Sequence, residues 1–335
     1  MSAGHVALVG ATGIVGEEIL RVLEERDFPL DQLTLLASRR SAGTRVEFRR
    51  QNHIVRPLTP ATLNGVQLAL FAADAATSTS YVPQAVRAGA VVIDCSSAFR
   101  LDPSVPLCVP EVNAAVLQQH HGIVAIPHGV TSQISLALAP LHAAATLKRV
   151  VVSTYQAVSG AGRQAVQEFD QQLRDLLNFR PAQAEVLPHQ IAFNCLPQCG
   201  DFLANGYTQE EMALIQETRK LLQAPALPMT ATAVYVPLAH SHSAAVSLET
   251  VQPLSVEAAR ELLAQAPGIV VQDDRERLHY PQPIHASGQD AVFVGRLRAD
   301  PSVPHGLHLW TVTDNLRKGA ALNVVQIAEL LMAAR

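Results

Sequence analysis

The stretch His5-Val6-Ala7-Leu8-Val9-Gly10-Ala11-Thr12-Gly13-Ile14-Val15-Gly16-Glu17 decides the fold. Its first five residues form a mostly apolar run that reads as a buried strand. Glycines follow at the spacing G-x-x-G-x-x-G, and residues 17–26 then read as a helix. Glycine lets the backbone bend tightly and approach a pyrophosphate. The helix N-terminus adds amide donors and a positive dipole. An empty Gly-rich turn in a doubly wound sheet would look the same, so the strand before it and the helix after it carry the weight.

Outward from this turn, residues 33–37, 66–72 and 90–94 are further short apolar runs, and 81–88 is helix-like. Strands alternating with helical patterns predict an α/β fold built of βαβ units with a parallel sheet. The pattern changes near residue 128. Beyond it, 150–154 is β-branched, 162–177 and 210–222 read as helices, and 230–238, 245–251, 269–272, 291–297 and 307–314 read as strands. That is a mixed α+β domain. The apolar-faced helix at 320–334 can return to the first domain. The expected division is therefore 1–128 plus 315–335, and 129–314.

The chain has 335 residues, 48% apolar and 16% charged, with a net charge of -4. This composition suits a globular protein with an ample core. It argues against a nucleic-acid surface, as does the lack of any basic run. No apolar stretch reaches the ~18 residues of a membrane span. No secretory signal is read before His5, so the expected location is cytoplasmic. The four cysteines, Cys95, Cys108, Cys195 and Cys199, then read as reduced thiols. Cys195 and Cys199 have no second pair beside them and read as packing residues, so no metal is expected.

The end of the second strand indicates the cofactor. An NAD enzyme usually carries an acid there for the ribose hydroxyls. This chain has Ser38-Arg39-Arg40-Ser41-Ala42-Gly43. Forked, permanently charged donors suit a 2′-phosphate, which favours NADP over NAD. The alternative is two solvated arginines.

A second stretch, Ile126-Pro127-His128-Gly129-Val130-Thr131-Ser132-Gln133, joins a strand-like run to a helix-like one beginning at Ile134. Such a turn can hold a thiol near a helix N-terminus and activate it. Here its centre is Gly129.

Seven segments in order give the chain a specific likeness. They are G-A-T-G-x-V-G at 10–16, A-S-x-R-S-A-G ending at Gly43, F-R-L-D-P-S-V-P-L-x-V-P-E-V-N at 99–113, S-T-Y-Q-A-V-S-G-A-G at 153–162, N-G-Y-T-x-E-E-M at 205–212, V-F-V-G-R at 292–296, and D-N-L-x-K-G-A-A-x-N-x-x-Q-I-A-E at 314–329. The chain resembles the aspartate-semialdehyde dehydrogenase family over nearly its whole length. The resemblance implies a homodimer of chains, each with a Rossmann-type domain and an α+β dimerisation domain. It implies reductive dephosphorylation of aspartyl phosphate with NADPH. There a Cys thiolate forms a thioester, a His serves as acid/base, and arginines hold the phosphate and the substrate carboxylate.

Carried over residue by residue, the likeness implies cofactor contacts at Gly10, Thr12, Gly13, Ile14, Val15, Ser38, Arg40, Ser41, Ser159, Gly160, Ala161, Gly162 and Asn315. Arg100 matches the phosphate-binding Arg, Gln156 the residue that orients substrate, Glu211 a carboxylate near the substrate amine, and His242 the acid/base. Plainer readings exist for several. Arg100 can pair with Asp102 or Glu111, and Glu211 stands in a helix's first turn, where the dipole favours an acid. His240 and His242 can be ordinary half-buried histidines.

Three positions depart from the family pattern. Gly129 stands at the nucleophile, with His128 as its neighbour. Tyr235, seven residues before His242, stands at the substrate Arg. Ala213 stands at a Lys. Loss of a nucleophile typically lowers turnover by about 10⁶. The pattern is similar to Usg-type members, which keep the frame and lack the thiol. Three readings follow. One is a protein that binds NADP(H), dimerises and is silent in the family reaction. Another is an oxidoreductase that reduces an anionic aldehyde or ketone without a thioester, with Tyr235, His242 or His128 as acid and Arg100 marking a small anionic ligand. The third is a structural or regulatory partner of an active paralogue.

Overall fold

The computed structural model describes residues 4–334. The expectation about the N-terminal residues Met1–Ala3, and the end of the expected first domain at Arg335, lie outside the described residues. Two compact units form. One runs up to His128 and resumes at Ala320, and the other is Gly129–Gly319.

The first unit contains β1 (His5–Val9), α1 (Ile14–Glu25), β2 (Gln32–Ala37), β3 (Arg45–Phe48), β4 (Gln51–Ile54), β5 (Arg56–Pro57), β6 (Leu68–Phe71), α2 (Ala75–Arg87), β7 (Val91–Asp94), α3 (Pro110–Asn113) and β8 (Ile123–Ala125). Its main sheet has the order β5-β2-β1-β6-β7-β8, parallel throughout. Both faces are covered. Val6 and Leu8 enter one apolar cluster with α1, while Ala7 and Val9 enter another with α2. A strand buried on both sides needs an apolar run rather than alternation, which is why residues 5–9 read as they do. The chain adds β2 on one side of β1 and β6 on the other. The Gly10 turn therefore opens at the carboxyl edge, where the strand order reverses and doubly wound sheets bind ligands.

The second unit contains α4 (Gly129–Ala145), β9 (Leu147–Gln156), α5 (Arg163–Leu177), α6 (Gln209–Leu221), β10 (Met229–Tyr235), β11 (His242–Thr250), α7 (Val256–Gln265), β12 (Ile269–Val271), α8 (Pro283–Ala286), β13 (Val292–Asp300) and β14 (Gly306–Thr313). The sheet is mixed, in the order β10-β9-β11-β14-β13-β12. At one edge Tyr235 pairs with Gln156, Ser243 with Tyr155 and His242 with Thr313. That edge gathers the last residues of β9, β10 and β14 and the first of β11.

Two expectations change. The helix expected from Ile134 begins at Gly129, so the expected turn is its first turn. Val130, Thr131 and Ser132 are modest helix formers, but every residue from Gly129 to Leu138 is buried, and tertiary burial outweighs that preference. Residues 315–319, expected with the first domain, belong to the second unit. The Asn315 side chain holds Ser241 and Ser159 there. The apolar helix α9 (Leu322–Ala333) does fall in the first unit. It packs on α1, and Arg26 at the end of α1 donates twice to Glu329, at 2.8 and 2.7 Å. Among the described residues no helix is long and apolar enough to cross a membrane.

Candidate active site

In the second unit the carboxyl end of β9 delivers Gln156, and the short turn Val158–Ala161 follows at once. The beginning of β11 delivers His242, which is 1% exposed. Its Nδ1 accepts the Ala157 amide at 3.1 Å. Gly160 faces the other end of the ring. A Cβ there would lie 3.2 Å from Cε1 and Nε2 of His242 and 3.7 Å from Oε1 of Gln156. Gln156 donates to Thr154 Oγ1 at 3.3 Å and reaches Glu210 Oε1 at 3.5 Å. The structure thus brings together Gln156, Gly160 and His242.

Asn315, expected to touch cofactor, holds this corner in place. Its Oδ1 accepts the Ser241 amide at 3.0 Å, and its Nδ2 donates to Ser159 Oγ at 3.0 Å. Ser241 adopts a left-handed φ of 72°, is fully buried, and its hydroxyl has no hydrogen-bond partner among the described residues. A non-glycine residue in that region stores strain that the surroundings must overcome. Sequence reasoning passed over both Ala157 and Ser241. Ala157 acts through its backbone, which no side-chain pattern shows. Ser241 looks like any serine until its φ is known.

Gly129 begins the 17-residue helix α4. A Cβ there would meet Asn315 O at 3.2 Å and the Gly319 Cα at 3.6 Å. The described thiols all stand elsewhere in the chain. Burial, with Glu210 and then Glu211, raises the pKa of Cys199. Burial and then Asp94 raise that of Cys95, against a smaller opposing pull from Arg100. Cys108 is buried, and Cys195 is exposed on a loop. A thiol held protonated is a poor nucleophile.

The residues expected at the substrate behave differently from one another. Glu211 is buried, and both its oxygens accept backbone amides, of Thr208 at 2.7 Å and Ala233 at 2.9 Å. With Thr208 it forms a capping box. These bonds account for its burial without a ligand. Tyr235 is packed among Val158, Ile191 and Leu196. Burial, then Cys199, then Glu210 push its phenol pKa up, so it keeps its proton. Arg100, in the first unit, is 9% exposed. It donates to the carbonyls of Ile126 at 3.0 Å and Cys95 at 2.6 Å. His128 is half-buried at the end of the first unit.

The expected cofactor turn lies wholly in the first unit. Gly10 has φ 85°, and a Cβ there would sit 2.1 Å from Ala72 O. At Gly16 it would sit 2.2 Å from Gly10 O. The first glycine makes the turn and the third lets helix meet strand. Gly13 caps α1 with no side-chain bond, so the first amides of the helix, at Ile14 and Val15, stand at an open N-terminus suited to phosphate, with Thr12 in the turn before it. At the end of β2, the turn Arg39–Ser41 has no buried residue, and among the described residues no carboxylate pairs with Arg39 or Arg40. Exposed, unpaired guanidiniums next to Ser38 and Ser41 are the donor set a 2′-phosphate needs. Among the described residues no group of acids, histidines or thiols is arranged for a metal ion.

Comparison with known proteins settles the family. The model for the semialdehyde dehydrogenase NAD-binding domain matches residues 5–120, and that for the semialdehyde dehydrogenase dimerisation domain matches residues 138–318. The chain belongs to the aspartate-semialdehyde dehydrogenase family. The family member of Bacillus subtilis is 48% identical over 98% of this chain and 97% of its own length. That of Legionella pneumophila is 49% identical over 98% and 95%. Aspartate semialdehyde dehydrogenase II of Vibrio cholerae, solved with ASA bound, is 43% identical, with a TM-score of 0.95 over 98% of both chains. The fold thus carries a nucleotide-binding domain of the Rossmann kind and a mixed-sheet dimerisation domain, as the sequence implied.

Proposed function

We propose that this aspartate-semialdehyde dehydrogenase homologue binds NADP(H) in its first unit, forms a homodimer, and is silent in the family reaction. One observation carries the reading. The first residue of α4 is Gly129, where the family pattern calls for the thiolate, and a hydrogen atom cannot carry an acyl group. Tyr235 and Ala213 remove two cations from the positions that would hold the substrate. The unpaired Arg39 and Arg40 support NADP over NAD. The test compares turnover of L-aspartate semialdehyde with phosphate and NADP⁺ against the Bacillus subtilis enzyme. A deficit near 10⁶-fold is expected; an ordinary rate overturns the reading. Titration calorimetry with NADP⁺ and NAD⁺ tests the cofactor, and no heat and no thermal shift at millimolar cofactor would remove it. Sedimentation tests the dimer.

The grouping of His242, Gln156 and Gly160 favours a second reading, NADPH-dependent reduction of a small anionic aldehyde or ketone by direct hydride transfer. His242 is then the acid rather than Tyr235, whose buried phenol is made a weaker acid by its surroundings. A panel of such carbonyl compounds with NADPH decides. Oxidation at background rate for all of them ends this reading.

A further inference from the structure

We infer that Arg45 and Arg56, together with Arg39 and Arg40, form a positive lip that draws the anionic cofactor out of solution towards the Gly10 turn. Arg45 and Arg56 set how fast NADP(H) arrives rather than how tightly it is held. The inference rests on the NADP(H) reading above.

The chain carries a net charge of -4, yet residues 39–56 hold six arginines against one carboxylate, Glu47. Topology sorts the six into two groups. The Gly10 and Ala11 amides both donate to Leu36 O, at 2.8 and 3.2 Å. Leu36 pairs in turn with Arg56 of β5. The Gly-rich turn, the end of β2 and Arg56 therefore stand side by side at the carboxyl edge, on strands spaced about 5 Å apart. Gly43 N donates to Val55 O and Val55 N to Thr44 O, each at 2.9 Å. These bonds tie the start of β3, at Arg45, to the residue before Arg56. From there the hairpin β3–β4 runs the other way. It carries Arg49 and Arg50 towards the amino end of β2, where Arg49 donates to Phe28 O at 2.6 Å.

Arg39, Arg40, Arg45 and Arg56 are all exposed, and among the described residues none of them forms an ion pair. The acids of this edge lie elsewhere. Asp74 follows β6 on the far side of the Gly10 turn, and Glu18 of α1 is paired with Arg21 at 2.7 Å. The edge is thus polarised, with its positive end at β2 and β5. Solvated charges of this kind add little to affinity. They act at range instead. An approaching anion feels their sum over a Debye length, about 10 Å at 0.1 M salt, and such fields raise association rates. NADPH responds strongly because it brings a pyrophosphate and a 2′-phosphate. Rim charges accordingly show in the association rate and its salt dependence rather than in dissociation.

The test is stopped-flow fluorescence of NADPH binding to the full chain at about 0.1 M and about 0.5 M salt. In the unaltered chain the association rate should fall as salt rises; a rate independent of salt overturns the inference without any variant. Arg39 and Arg40, the proposed contacts, are left in place. Arg45→Gln with Arg56→Gln should slow association about 3- to 5-fold at the lower salt and less than about twofold at the higher, with dissociation unchanged. Arg45→Lys with Arg56→Lys keeps the charge and should keep the rate. Arg50→Gln, at the far tip of the hairpin, should slow association less than Arg56→Gln alone does. An association rate unmoved by the double glutamine change overturns the inference. So does an effect on dissociation alone, which would make these arginines contacts, and so does a loss that the lysines share. Equal effects of Arg50→Gln and Arg56→Gln overturn the assignment to this edge. Equilibrium titration of the unaltered chain with NADPH keeps the two claims apart. No binding removes the cofactor reading and this inference together, whereas binding with an unmoved association rate removes this inference alone.

Discussion

Gly129 and Gly319 face each other backbone to backbone within the second unit. A Cβ on Gly319 would lie 3.0 Å from the Gly129 Cα, whereas a Cβ on Gly129 meets Asn315 O at 3.2 Å. Both neighbours are backbone, and Gly319 leaves the smaller clearance by a small margin. Gly319→Ala pushes on backbone that cannot rotate away and should destabilise the chain by about 1–3 kcal/mol, the range for overpacked sites, as read by urea unfolding; a change within error would show that the contact is relaxed. Gly129→Cys asks the Asn315 carbonyl, also backbone, to give by a few tenths of an ångström. It should fold and place a thiol at a helix N-terminus, where thiolates are favoured. Position 129 is buried, so alkylation by iodoacetamide should nonetheless be slower at that cysteine than at the exposed Cys195. Turnover of aspartate semialdehyde should still stay at least about 10²-fold below the Bacillus subtilis enzyme, because Tyr235 and Ala213 leave the substrate poorly positioned. Full activity from the single change would show those two positions to be unimportant. The absence of the thiol was legible in the sequence, since one residue type at one motif position carries it. The packing of Gly319 on that position was not, because residues 190 apart in the chain reveal contact only once folded.

At the scale of elements, helix α6 shows how one carboxylate invites two readings. The sequence places Glu211 three residues after Thr208, the spacing of a capping box, and also on the family's substrate motif. Its two oxygens hold the Thr208 and Ala233 amides, which join the start of α6 to the middle of β10. Glu211→Ala would leave both buried donors without partners and should cost about 1–3 kcal/mol, measured by chemical unfolding; NADP⁺ affinity should not change. Unaltered stability would mean that other acceptors replace the carboxylate. The sheet offers a similar caution. Ser247 Oγ lies 2.7 Å from Nδ1 of His308, and Nε2 of His308 lies 3.2 Å from Asp300, the order of a hydrolytic relay. Ser247 stands mid-strand, paired with Val151 and His308 on either side, so its neighbouring amides belong to the ladder and none is left to hold an oxyanion. Periodicity announced most of the helices and strands here. It placed the start of α4 late because Val130, Thr131 and Ser132 look like turn residues until their burial is known.

At the scale of the whole molecule, the features that serve a nucleotide and those that would serve acyl transfer have different fates. The nucleotide features are demanding: Gly10 and Gly16 sit where any Cβ would strike backbone at 2.1 and 2.2 Å. They are nonetheless present, and the arginines at the end of β2 are unpaired. If this half is functional, NADP⁺ binds the folded chain and not the unfolded one, and mass action must stabilise it. At about 100 times its Kd the gain is about 2.7 kcal/mol. Arg40→Glu should abolish the gain from NADP⁺, since a carboxylate repels the 2′-phosphate, yet leave or improve the response to NAD⁺, whose ribose hydroxyls an acid accepts. Gly10→Ala should remove the response to both. Equal stabilisation of Arg40→Glu by both cofactors would mean that the arginines are only solvated surface. No stabilisation of the unaltered chain by either would mean that the Gly-rich turn has been kept for packing alone, since Gly16 is needed for α1 to meet the Gly10 turn whether or not a phosphate ever binds there.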